Sequence, residues 1–251
     1  MIIWRILSSE DERFATAIRR GTWKTRGKTG ESYRVQPMLI EWEPGFKSVE
    51  VGDFTDPSGG SDLMIVGGVA KSLKKNGIKG FSAGRVEFSN NLSRGRGRRP
   101  FEPRDLPKFY ELLVKFVAEI DLEKTTFRIK RHPTIEEERE YYENIREGYG
   151  AILDKYPKLS ENCGKEYREY YGYEQDVCED YNPKKGDLVY KHIPRVKGCG
   201  YFVRRSALMG CDIFRLEDLN WVFCTDRVKL LIEPGGFTNV RFLEMGDVIE
   251  D

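Results

Sequence analysis

The sequence predicts an α+β protein of two pseudo-repeated strand-helix-strand halves, residues 1–100 and 188–251, around a helical, acidic, tyrosine-rich segment at 101–187, with one core open to both halves. Three observations predict it. One stretch is used twice: at a constant offset of 159 and without a gap, Asp53 falls on Asp212, Met64 on Phe223, Val69 on Val228, Leu73 on Ile232 and Gly77 on Gly236. Residues 105–120 repeat apolar side chains at helical spacing. Residues 135–187 carry fifteen acidic against eight basic residues, a charge of −7 in a chain of net +1, and nine of the thirteen tyrosines.

Taken in order, the apolar MIIWRIL start reads as a first strand. SSEDERFATAIRR reads as a helix, with Ser8 or Ser9 as cap, acids in its first turn and basics in its last, matching the helix dipole. Val35–Trp42 is strand-like, Pro44-Gly45 turns the chain, and Phe46–Val51 alternates as a partner strand. Each copy of the doubled stretch then gives an apolar run, a short helix with apolar positions i and i+4, and a Gly where a C-cap needs positive φ. Arg85–Phe88 alternates as another strand. Asp105–Ile120, with Leu106, Phe109, Tyr110, Leu113, Phe116, Val117 and Ile120 on one stripe, reads as a core helix.

The acidic segment reads as two helices, IEEEREYYENIREGYGAILDKY and ENCGKEYREYYGY. Tyrosine brings amphipathic contact area and carboxylates steer a basic partner. The candidate partner-binding residues are therefore Tyr141, Tyr142, Tyr170, Tyr171, Tyr173, Glu174, Asp176, Glu179 and Asp180. The plainer reading is a solvated face whose tyrosines lean on a core.

Composition excludes several classes. No apolar run approaches the roughly 20 residues needed to cross a bilayer; Arg5 and the acids after it break any leader pattern, so a cytoplasmic address and no membrane partner are expected. Five cysteines without paired spacing point to reduced thiols. Gly27-Lys28-Thr29 imitates a phosphate loop, but Thr22 stands where the first Gly is required. His132 and His192 have no partner arranged as a nucleophile pair; a dyad of His192 with Cys199 rests on residue type alone. No catalytic residue is assigned, and an enzyme acting through the central carboxylates is the weaker class.

The closing segment DIFRLEDLNWVFCTDRVKLLIEPGGFTNVRFLEM resembles that of bacterial immunity proteins first described in myxobacteria and found beside polymorphic and contact-dependent toxins. Asp212, Phe214, Arg215, Thr225, Arg227, Val228, Gly236, Val240 and Phe242 carry the resemblance over about forty residues. It implies a cytoplasmic protein that binds a cognate toxin with a basic surface and neutralises it by occlusion. A related group carries two CxxCG motifs suited to zinc. Here Cys163-Gly164 and Cys199-Gly200 remain, but Ser160 and Val196 replace the partner cysteines. Cys178 or His192 would have to substitute, and no metal or cofactor is expected. The rival reading is a nucleic-acid-binding module using Arg94, Arg96, Arg98 and Arg99 with Lys24, Arg26 and Lys28. It lacks an aromatic stacking platform and is the lesser expectation.

Overall fold

A computed structural model describes residues 1–9, 13–20, 23–26, 31–34, 37–43, 50–57, 62–88, 106–145, 162–182, 187–217 and 219–251. The protein is mostly β, not α+β. Its strands are β1 (Ile2–Leu7), β2 (Thr16–Arg20), β3 (Trp23–Arg26), β4 (Glu31–Arg34), β5 (Met38–Glu43), β6 (Phe54–Thr55), β7 (Met64–Val66), β8 (Phe81–Phe88), β9 (Phe109–Val114), β10 (Val117–Ala118), β11 (Phe127–Arg131), β12 (Glu166–Tyr170), β13 (Gln175–Asn182), β14 (Asp187–Ile193), β15 (Tyr201–Arg204), β16 (Ile213–Leu216), β17 (Phe223–Thr225) and β18 (Arg241–Ile249). Helix α1 spans Gly67–Lys75, α2 spans Ile135–Ile145 and α3 spans Asp226–Ile232.

Two six-stranded sheets form the body, ordered β10-β16-β17-β1-β18-β15 and β2-β5-β8-β9-β7-β6. The first is apolar on both faces. In β1, Trp4 and Ile6 face a core shared with α1, α3 and the second sheet, while Ile3 faces another core lined by Tyr201, Phe214 and Phe223. A strand covered on both sides needs apolar residues at nearly every position, hence the run IIWRIL.

The same physics overturns the expected helices. Within Asp105–Ile120, Phe109–Val114 is β9, held between β8 and β7, with Phe109, Glu111 and Leu112 buried. A strand apolar on both faces satisfies an i, i+3, i+4 template by default, and its Phe, Tyr and Val favour the extended chain. Thr16–Arg20, expected in a helix, is β2, paired antiparallel with β5. The second expected helix of the insert is a turn at 162–164 followed by β12. Among the described residues, the later part of the insert pairs β11 with β12, with α2 between them in the chain, and β13 with β14. The expected loop with Arg94, Arg96, Arg98 and Arg99, most of the Phe46–Val51 strand, and Lys28 lie outside the described residues.

Nor are there two self-contained strand-helix-strand halves. β1, at the chain start, completes the sheet of β17 and β18, and β9 fills the corresponding place between β7 and β8. The spacing of 159 marks contacts across that exchange. Asp53 Oδ2 accepts from Thr238 N at 2.8 Å, and Asp212 Oδ2 accepts from Lys79 N at 3.0 Å. Arg227 joins α3 to α1 by donating to the Asn76 carbonyl at 2.6 Å, satisfying a carbonyl at the α1 terminus.

Candidate partner-binding surface

The insert hairpin β11–β12 has two dissimilar faces, set by its register. Phe127 pairs with Tyr170, Ile129 with Arg168 and Arg131 with Glu166 on one face; Arg128 pairs with Glu169 and Lys130 with Tyr167 on the other. Directly opposed residues in an antiparallel pair share a face. The hairpin is anchored through Tyr170, whose ring meets Phe127 at 6.0 Å and buried Tyr201 at 5.0 Å. Tyr173 stacks on Tyr201 at 5.5 Å and meets Trp221 edge-on. Burial raises the Tyr173 pKa and pushes that of Tyr201 far above the usual phenol range, so both remain neutral.

On the opposite face Glu169 holds Arg128 and, at 2.5 Å, Lys130. Hydrogen bonds from Lys130 and Arg128 keep its carboxyl below the ordinary value. His132 lies on the Tyr167 ring at 4.3 Å. Thr134 and Glu137 then start α2 as a capping box: Glu137 N donates to Thr134 Oγ1 at 3.3 Å and Thr134 N to Glu137 Oε2 at 2.6 Å. Arg131 pairs with the other Glu137 oxygen at 3.0 Å, and with the Thr134 backbone holds the Glu137 pKa down to about 2.

Among the charged residues exposed on these elements stand several apolar and aromatic ones. Ile129 is 56% exposed and Tyr141 62%, with Tyr167 and Tyr171 also exposed. Two shallow cavities flank the hairpin and helix. One, of about 530 Å³, is lined by Ile129, Glu166, Tyr167, Arg168, Tyr170 and Leu219; the other, of about 550 Å³, by Arg131, Pro133, Glu137, Glu138 and Tyr141.

The sequence-predicted residues thus divide. Tyr141 and Tyr171 are outward, whereas Tyr170 and Tyr173 belong to the aromatic packing around Tyr201. Glu174 and Asp176 fasten the β13–β14 hairpin to β18: Glu244 N donates to Glu174 Oε2 at 2.5 Å, and Arg241 pairs with Asp176 at 2.8 Å. Tyr142 lies in α2 and Glu179 and Asp180 in β13, with side chains outside the described set. Lys24 and Arg26 lie in β3 on the same terms. Exposed Ile129 and Tyr167 and cavity-lining Glu138 were not among those candidates; the complementary alternation of FRIKR and EYREY was a signal for the first two.

His192 stands 3.0 Å from Asp176 and 3.4 Å from Glu174. Burial alone would raise the Asp176 pKa, but hydrogen bonds with His192 and Arg241 outweigh it and lower the value. A depressed folded pKa contributes stability above the unfolded value of about 3.9, and this is lost as pH falls through the folded value. Amides of 175–177 and 190–193 are therefore expected to lose exchange protection below about pH 4. Asp176→Asn should show that loss already at neutral pH; unchanged protection in the variant would exclude the clasp.

Among the described residues no group of three or more His, Cys, Asp or Glu side chains is placed to hold a metal. Cys224 is buried, with burial raising its pKa well above the usual thiol value, while Cys163, Cys199 and Cys211 are half-buried. No described helix is long and apolar enough to cross a membrane. The chain matches no protein-family model and no curated protein.

Proposed function

We propose that this chain is a cytoplasmic immunity protein that binds a cognate toxin and neutralises it by occlusion, using the β11–β12 hairpin and α2 as its contact surface. The observation that carries this reading is the exposure of Ile129, Tyr141, Tyr167 and Tyr171 on and beside a hairpin and helix held in place by Tyr170, Glu137 and Glu169. Aromatic and aliphatic anchors on a rigid support, ringed by charge, are the make-up of a binding hot spot. Exposed Glu136 and Glu140 on α2 suit a basic partner. The carboxylates of Glu137, Glu169, Glu174 and Asp176 are each engaged in holding the fold. That weighs against their use in catalysis.

The tagged full chain, purified from its host at moderate salt, is expected to carry a stoichiometric protein encoded by a neighbouring gene. Ile129→Asp, Tyr141→Ala and Tyr167→Ala combined should weaken that complex by about 100-fold or more, with the melting temperature little changed because all three are exposed. Recovery of nucleic acid in place of a protein, or undiminished binding by the triple variant, would contradict the assignment.

A further inference from the structure

We infer that the cavity between Arg131, Pro133 and the first turns of α2 is a notch for one arginine or lysine side chain of a protein partner, with Glu138 as counter-charge and Tyr141 as aromatic wall. This rests on the partner-binding reading and adds the chemistry that the partner must present. Among the described residues, the lining of this cavity of about 550 Å³ holds two carboxylates and one guanidinium, net one negative charge. Arg131 does not repel a cation there as a free charge, because Glu137 neutralises it at 3.0 Å. Both Glu137 oxygens are committed, one to Arg131 and one to the Thr134 amide at 2.6 Å.

Glu138 is different. Its carboxylate, half-buried in the cavity wall, makes no hydrogen bond or ion pair among the described residues, and only its backbone N–H is engaged, with the Thr134 carbonyl. Tyr141 follows three residues later on the same helix side and lines the same cavity, 62% exposed. A carboxylate beside a tyrosine ring is the pairing that accepts a cationic side chain through an ion pair and a cation–π contact together. The Pro133 ring gives the aliphatic stem of that side chain an apolar wall. An anionic side chain would meet Glu138 and the surrounding α2 carboxylates and be repelled.

The test is a titration of the intact ¹⁵N-labelled protein with two blocked tripeptides, acetyl-Gly-Arg-Gly-amide and acetyl-Gly-Gln-Gly-amide. The arginine peptide should give saturable amide shifts confined to residues 131–141, and the glutamine peptide none. Glu138→Gln, which keeps shape and helix propensity, should weaken binding about fivefold or more, and Tyr141→Leu about threefold. Shifts spread over the surface, equal responses to the two peptides, or unchanged affinity in Glu138→Gln would overturn the notch. A toxin complex lost in the Ile129, Tyr141 and Tyr167 variant but unaffected by Glu138→Gln would remove the notch and leave the surface. Peptide binding without any protein partner would leave the notch and remove the inhibitor reading.

Discussion

Replacing Gly80 by alanine is expected to destabilise the protein by about 3 kcal/mol or more, a large share of the 5–15 kcal/mol typical of a folded domain. Gly80 has φ +97, outside the range in which L residues are comfortable, and a Cβ there would stand 1.9 Å from the Ile213 carbonyl oxygen. That oxygen belongs to β16 backbone, which is fixed by the donation of Asp212 N and Ile213 N to the Lys79 carbonyl, each at 3.0 Å. Relief therefore requires the two sheets to part where residues 79–80 meet 212–213. Gly198 is the control, with φ +77 and open space around its Cβ position, so Gly198→Ala should cost only about 1 kcal/mol of backbone strain. Urea midpoints of both variants check this. Equal midpoints would mean that the sheets are not in close contact at Gly80.

Arg195→Met is expected to cost about 3 kcal/mol. The side chain is 6% exposed and ties the segment before β15 to β18: its Nε donates to the Cys199 carbonyl at 2.7 Å, and its Nη atoms to Glu244 at 2.9 Å, Asp247 at 2.5 Å and the Gly246 carbonyl at 3.1 Å. Burial works to lower its pKa, but the bonds to Asp247 and Glu244 prevail and raise it, so the charge persists across the accessible pH range. Methionine fills the space and leaves two carbonyls and two carboxylates without their donor. The carboxylates are about one-third exposed and regain water, which places the cost at the low end for a broken buried pair. Arg195→Lys keeps the charge and loses the planar fork, so it should fall between wild type and Arg195→Met in chemical denaturation. A change below about 0.5 kcal/mol for Arg195→Met would show that β18 holds that segment without it.

What could be read from the chain divides by burial. β1, β5 and β8 were legible because runs such as IIWRIL and LIEW are too short and too apolar for a surface helix. The Gly77 and Gly236 exits were legible too, and both residues do have positive φ, +66 and +68. β9 was not, because FYELLV is covered on both faces and periodicity then ceases to distinguish strand from helix. β12 was misread because its partner lies thirty-five residues earlier, across α2; only with Arg128 opposite Glu169 and Arg131 opposite Glu166 does EYREY look like half of a hairpin. The same pairing explains the division of the candidate site. Tyrosine density pointed to the region of the proposed surface, yet Tyr170 and Tyr173 pack inward on Tyr201, and Ile129 stands out only once β11 has its register.

The most direct measurement of the central claim is growth rescue. The neighbour-encoded partner, expressed alone in a sensitive bacterial strain, should arrest growth, and co-expression of this chain should restore it. The Ile129→Asp, Tyr141→Ala, Tyr167→Ala variant, expressed at equal level and equally stable, should fail to restore growth. Full rescue by that variant, or a partner that is harmless alone, would contradict neutralisation through the β11–β12 and α2 surface.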